Sequence, residues 1–421
     1  MIAGWRCAAC GRSVDIAVPW AWRCPNATLN DRHHVLRLVG SGPLDPPSEG
    51  NPFIWGAAGS AWAAFARANG MTAAACEALA DEVDHLVSAV DGHGFQVTPC
   101  SSVTLPGDLG SICVKDETAN VSGSHKGRHL MSILLHLRAA ELLRIAPVVP
   151  RPRLAIASCG NAALAAATLA AAVEWPIDVF VPSSASAVVL TRLSDLGATV
   201  IECPRRLDDP PGDPCVRRFR GSVNLGSIPF SVQGPENAYC LDGGRTIGWE
   251  LAAQTRGLGI AAVYVQVGGG ALATGIGDGM REVLGGAAPA LIAVQTAGCA
   301  PLARAWDEAR AWPVGVIGRH WSECMWPWET EPVSAAGGIL DDESYDWIGV
   351  VEAMAATSGG VVVADEAQIE AANHMLRSLS GIDVDHTGSA GFAGYLAHRA
   401  SAGDARVAGP ALVIASGRRR T

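Results

Sequence analysis

Lysine occurs twice in the 421 residues, as Lys115 in CVKDE and Lys126 in SGSHKGR, while arginine is used at every other strongly basic position. An amine kept neutral by burial or nearby positive charge attacks aldehydes and accepts protons. In a chain that otherwise prefers arginine, Lys126 is therefore the first candidate for chemistry, and Lys115, inside an apolar strand-like run, is read as structural or as a contributor to local charge. Two glycine-bearing turns offer Lys126 partners. In VGGGAL the amides of Gly268, Gly269, Gly270, Ala271 and Leu272 open a helix and suit a single phosphate. Gly268, Gly270 and Ala273 also satisfy a relaxed dinucleotide fingerprint, but the acidic residue expected ~20 positions on is replaced by Gln295 and Thr296. A plain structural glycine turn is the third reading. In ASCGNAAL, Ser158, Gly160 and Asn161 offer a hydroxyl, free amides and a carboxamide to an anion or a phenolic oxygen; a helix start capped by Asn is the alternative.

A third constellation stands at the amino terminus. Cys7 and Cys10 form a CxxC knuckle and Cys24 follows at ribbon spacing. Tetrahedral zinc requires a fourth ligand, which His33 or His34 supplies, with His33 taken first. The competing reading is a metal-free relic with reduced thiols.

These residues need elements to position them. From residue 153 the apolar runs RLAIAS, IDVFVP and TVIEC alternate with the helical NAALAAATLAAAV and SAVVLTRLSDLGA. A second series runs from AAVYVQV through LATGIGDGMREVLG to ALIAVQT, GVVVAD and PALVIAS. Strands alternating with helices of this length predict βαβ units and parallel sheets. SICVKDE reads as a strand, and Leu130, Ile133, Leu134 and Leu137 recur at helical spacing, so Lys126 sits where a strand passes into a helix. Ligands of open α/β sheets bind at such junctions. CPRRLDDPPGDPC, 203–215, reads as a surface loop.

A loop lysine, a phosphate-suited glycine turn and an anion-suited turn together describe a site for pyridoxal phosphate. Their order resembles the fold-type II pyridoxal-phosphate enzymes, which include the tryptophan synthase beta subunit, threonine synthase and the serine/threonine dehydratases. NVSGSHKGR is similar to the lysine string of threonine-synthase-like members, SCGNA to the family's SGN turn, VGGGAL to its phosphate loop and LDGGRTIGWEL, 241–251, to its EGxKT helix start. The resemblance implies a Schiff base on Lys126, Asn161 at the cofactor's 3-hydroxyl and the substrate carboxylate held by Ser158, Cys159, Gly160, Asn161 and Ala162. It places the pyridine nitrogen against a hydroxyl of HTGSAG, Thr387 first and Ser389 in reserve. It further implies a tryptophan synthase beta-like α/β fold of two open parallel sheets, with a Cys-rich ribbon over 1–40, a large unit of 41–125 with 231–421, and a small unit of 126–230. The activity implied is β- or γ-elimination or replacement on a small L-amino acid by a homodimer. Two departures qualify it. His125 and Gly127 replace the family's Phe and Asp around the lysine, so His125 is either an acid or a space filler; and QGPENAYCLDGG lacks the arginine found near the phosphohomoserine phosphate. A non-catalytic cofactor-binding paralogue and a nicotinamide oxidoreductase are the alternatives.

With 49% apolar and 17% charged residues the chain is globular, and its net charge of -10, without a basic stripe, argues against nucleic acid. The Ala-rich run at 161–173 is too short for a membrane span, and the scattered thiols suit a soluble cytoplasmic protein.

Overall fold

The computed structural model describes residues 1–420 except 29, 43, 146–149, 207, 208, 210, 211 and 402–408; the expected loop at 203–215 thus lies partly outside the described residues. Strands β1 (Gly4–Cys7), β2 (Ser13–Asp15) and β3 (Leu36–Val39) form a small antiparallel sheet with β1 central. Helices α1 (Pro52–Trp55), α2 (Ala61–Ala68) and α3 (Ala73–Asp91) lead to the antiparallel pair β4 (Cys100–Thr104) and β5 (Ser111–Asp116), after which α4 begins at Lys126 and runs to Leu142.

The next segment builds a parallel sheet of its own. Strands β6 (Leu154–Ala157), β7 (Ile177–Val181), β8 (Thr199–Glu202) and β9 (Ile228–Pro229) lie in the order β8-β7-β6-β9. Helices α5 (Asn161–Ala172), α6 (Ala187–Asp195) and α7 (Pro214–Asn224) make the crossovers. Alanine dominates α5 because this helix is buried around almost its whole circumference, where larger side chains would not fit.

The chain then returns to the first sheet through α8 (Tyr239–Gln254), β10 (Ala262–Gln266), α9 (Ala271–Leu284), β11 (Ala290–Thr296), α10 (Pro301–Ala309), α11 (Trp321–Cys324), α12 (Trp347–Ala356), β12 (Gly360–Ala364), α13 (Glu366–Ser380), α14 (His386–Ser401) and β13 (Ala411–Ala415). The six strands order as β12-β11-β10-β13-β5-β4, all parallel except β4. Both sheet faces are covered, so these strands are apolar runs rather than alternating ones. The expected strands and helices, and two parallel sheets, are all present. Among the described residues no helix is long and apolar enough to cross a membrane.

Two features fix the elements that carry the candidate residues. Helices α8 and α9 touch through glycine: a Cβ on Gly275 would lie 2.6 Å from the Gly244 carbonyl carbon, and one on Gly248 2.6 Å from the Ile276 oxygen. This packing sets the start of α9, and hence the glycine turn, against the N-terminal half of α8. Beneath α4, Arg128 pairs with Glu117 at 2.8 Å and Glu250 at 2.5 Å, and Lys115 pairs with Glu250 at 2.5 Å, all four side chains being fully buried. Lys115 is thus structural. Two cations balance two anions, so no charge within this quartet is left unpaired.

Candidate active site

Lys126 is the first residue of α4, which follows β5 through two short turns. The strand-to-helix position read from sequence is the observed one. To make the bend, Ser122 adopts φ 56° and Gly123 φ 67°, left-handed conformations that cost a serine strain and glycine little. Lys126 stays half-buried, and burial lowers its amine below the ordinary lysine value against the opposing pull of Asp341, Cys240 and Asp346. That is the direction a nucleophilic or proton-accepting amine needs.

Two imidazoles flank it. His125 Nδ1 lies 2.9 Å from the Ser416 carbonyl and His129 Nδ1 2.7 Å from the Cys240 carbonyl. A carbonyl only accepts, so both rings carry their proton on Nδ1. Burial first, then the charge of Lys126, pushes His125 well below its ordinary value and His129 down to about 3. Both are neutral near pH 7. His129 Nε2 and Ser124 Oγ are buried without a hydrogen-bond partner among the described residues.

The glycine turn connects β10 to α9. Gly270 takes φ 99° and a Cβ on Gly268 would lie 2.9 Å from the Ile339 Cα, so neither position tolerates a side chain, while one on Gly269 would press on the Tyr345 ring at 3.2 Å. Ala271 and Leu272 form the first turn of α9, with free amides. Asp341 accepts the Gly269 amide hydrogen, and buried Asp346 accepts from the Gly234 amide at 3.1 Å. Burial raises these carboxyls to about 6 and about 7 respectively. Nothing in the sequence pattern marked either aspartate. Gln295, standing where a dinucleotide fold needs an acid, uses its side chain to hold the Leu302 amide and the Val267 carbonyl.

The second turn joins β6 to α5. Ser158 Oγ accepts from the Gly160 amide at 3.4 Å, Cys159 is exposed, and Asn161 and Ala162 begin the helix. Asn161 reaches the other sheet: its Oδ1 accepts from Arg420 Nε at 2.9 Å and its Nδ2 lies 3.4 Å from Asp385 Oδ2. Burial raises Asp385 to about 6.

The hydroxyls expected to face a pyridine nitrogen each have a protein partner. Thr387 Oγ1 accepts from the Gly338 amide at 2.9 Å, and Ser389 Oγ accepts from Asn373 at 2.9 Å while lying 3.1 Å from the Asp385 carbonyl. Ser416 lies against His125, the residue before the lysine. It follows β13, which lies between β5 and β10, and its carbonyl holds both the amide and the ring of His125. Gln266 Nε2 donates to Ser416 Oγ at 2.5 Å and is fixed in that orientation by the Gly388 and Ile414 carbonyls. A serine directly after an apolar strand, in PALVIASG, was the available signal.

Residues 92–417 match the model of a family described as pyridoxal-phosphate dependent enzyme. The chain belongs to that family. A search of curated proteins gives no match. Among solved structures, maize serine racemase aligns at TM-score 0.60 and 17% identity over 80% of this chain and 92% of its own. The T.th. threonine deaminase aligns at 0.60 and 19%, over 81% and 98%. Diaminopropionate ammonia lyase from Escherichia coli aligns at 0.61 and 16%, over 82% and 89%. At these identities the likeness is one of fold, the tryptophan synthase beta-like α/β architecture.

The residues present fit the family's cofactor. A lowered lysine amine, a turn closed to side chains at Gly268 and Gly270 but lined with amides, and the unpartnered Ser124 Oγ and His129 Nε2 beside the lysine suit a polar ring with an anionic tail. Asp341 and Asp346 would oppose a phosphate if ionised; burial raises both, which reduces that opposition without removing it near pH 7.

The amino-terminal ligand set differs in one member from the first choice. Cys7, Cys10, Cys24 and His34 place their ligand atoms within 4.8 Å of one another, with Cys7 Sγ 3.3 Å from His34 Nδ1 and Cys10 Sγ 3.6 Å from Cys24 Sγ. His33 instead stacks on Trp321 at 5.0 Å. These four side chains could together hold a metal ion.

Proposed function

We propose that the chain is a pyridoxal-phosphate-dependent lyase acting on a small L-amino acid by β- or γ-elimination or replacement. The observation that carries this reading is the lowered amine of Lys126 at the meeting point of the two sheets, between two neutral imidazoles, one of them held by Ser416. Lys126 would hold the cofactor and, once displaced by the substrate's amino group, take the α-proton. The amides of Gly268, Gly270, Ala271 and Leu272 would hold its phosphate, with that of Gly269 joining only on leaving Asp341, and the amides of Cys159, Gly160, Asn161 and Ala162 with the Ser158 hydroxyl would hold the substrate carboxylate, since the Ser158 amide donates to the Phe180 carbonyl. Because Gln266 already donates to Ser416 Oγ, the serine proton is free to be donated to a ring nitrogen, which keeps that nitrogen unprotonated. We therefore assign the ring contact to Ser416 in place of Thr387 or Ser389. Bound pyridoxal phosphate supplies the electron sink for the Cα–H bonding pair. A neutral ring nitrogen moderates that sink, which favours loss or exchange of a substituent over transamination.

Elimination and threonine-synthase-type replacement differ in product. Incubating the purified protein with serine, threonine, diaminopropionate, phosphohomoserine and cysteine derivatives should yield a 2-oxo acid with ammonia in the first case, or a new amino acid with phosphate in the second. Uptake of the cofactor with no spectral response to any member of the panel would instead support the non-catalytic paralogue. The same reading divides the chain at Lys126, with 41–125 and 231–421 as the large unit and 126–230 as the small one. It includes structural zinc on Cys7, Cys10, Cys24 and His34, a homodimeric state implied by the resemblance, and a reducing cytoplasmic setting supported by twelve free cysteines.

A further inference from the structure

Behind the lysine loop lies a cavity of about 340 Å³ whose walls include Asp91, Ser122, Thr168, Arg192, Arg418 and Arg420. It runs along the flank of α5, since Thr168 stands seven residues beyond Asn161, roughly 10 Å down the helix and away from the strand ends where the cofactor would sit. Its charge is unbalanced. Arg192, Arg418 and Arg420 face one carboxylate, so three positive charges meet one negative and two remain. Asp91 is itself engaged, accepting from the Ser122 amide at 3.1 Å and lying 3.4 Å from His93. The side chains of Arg192 and Arg418 have no hydrogen-bond or ion-pair partner among the described residues, and Ser122 Oγ is likewise unpartnered. Arg420 is the wall between this cavity and the candidate active site. Its guanidinium donates from Nε to Asn161 Oδ1 at 2.9 Å and from Nη2 to the carbonyl of Ser122, the strained residue of the lysine loop.

We infer that this cavity is a second, regulatory site for a small phosphate-bearing anion, and that its occupant acts on the active site by drawing Arg420 away from Asn161 and Ser122. A phosphate anion matches the surplus of positive charge, which Asp385 beside Arg420 reduces without cancelling, and guanidinium groups pair with its oxygens by charge-assisted hydrogen bonds. While Arg420 donates to Oδ1, the Asn161 amide can present only its NH₂ toward Asp385 and the cofactor region; release of Arg420 removes that constraint and relaxes the loop carrying Lys126. Coupling of this kind is reciprocal, so the two sites alter each other's affinity equally. The binding half stands on the cavity alone, and the coupling half rests on the cofactor reading proposed above.

The test is calorimetric titration of cofactor-loaded protein with inorganic phosphate and, separately, glycerol phosphate, at constant ionic strength. Saturable one-to-one binding is expected, weaker by about tenfold or more in Arg192→Ala/Arg418→Ala, since removing a single charge-assisted hydrogen bond weakens binding by about that factor. Tighter binding of the ester would identify a phosphorylated metabolite as the occupant, and equal binding free phosphate. The absorbance of bound cofactor should shift as the site fills in the natural chain and not in the double variant. No saturable binding, or binding untouched by the double substitution, overturns the site; binding without the shift overturns the coupling. If the protein takes up no cofactor, the difference between the natural chain and the double variant still reads the cavity by itself.

Discussion

Replacing Asp346 by Asn exchanges a buried carboxyl for an amide of the same shape while leaving an oxygen to accept the Gly234 amide. Asp346 is 1% exposed and its Oδ1 has no partner among the described residues. Burial is the main cause that lifts its carboxyl from 3.8 to about 7, with the Gly234 amide, Arg37 and Lys126 opposing and Asp341 assisting. A carboxyl raised on folding gives stability that is fully present below its unfolded value and is lost as pH climbs through the folded value. The loss is therefore gradual between about pH 4 and pH 7 and complete above. At 1.36 kcal/mol per pH unit, Asp346→Asn should stabilise the cofactor-free chain by about 2 kcal/mol at pH 5 and about 4 kcal/mol at pH 8. Urea unfolding of both proteins at the two pH values, followed by tryptophan fluorescence, measures the difference. An equal gain at both, or a loss at pH 8, would refute the view that this aspartate is buried at the expense of its charge.

Glu250→Gln should destabilise the protein by about 3–5 kcal/mol in chemical denaturation, because Lys115 and Arg128 would then share Glu117 as their only buried counter-charge. A cost below about 1 kcal/mol would mean that water reaches the quartet. Ser416→Ala should weaken cofactor binding by about tenfold and shift its absorbance, whereas Thr387→Val should do neither; the reverse pattern in a cofactor titration would restore the helix hydroxyl. The protein should carry one equivalent of zinc by elemental analysis, retained in His33→Ala and lost in His34→Ala.

The strands were legible because buried parallel strands are short apolar runs bounded by turn residues, and Lys126 because lysine is so rare here. The two glycine turns were legible as backbone chemistry, since a glycine cluster between a strand and a helix has few other uses. What escaped depends on strand order. Ser416 reaches His125, beside the lysine, only because β13 inserts between β10 and β5, an adjacency that joins residues about 290 apart and leaves no periodic trace. Thr387 and Ser389 lie on the neighbouring α14, one turn from Asp385, which does touch Asn161. Asp341 and Asp346 belong to an irregular segment before α12, and their role comes from being packed against glycines more than 70 positions earlier. The choice between His33 and His34 turned on which adjacent side chain faces the cysteines as the chain enters β3, and Trp321, from the far end of the sequence, holds the other.

On the proposed reading Lys126, and not Lys115, carries the cofactor. Borohydride reduction of the protein saturated with pyridoxal phosphate, followed by proteolysis and mass mapping, should place the whole cofactor adduct on the peptide containing Lys126. An adduct on Lys115, on the amino terminus, or on no peptide at all would contradict it.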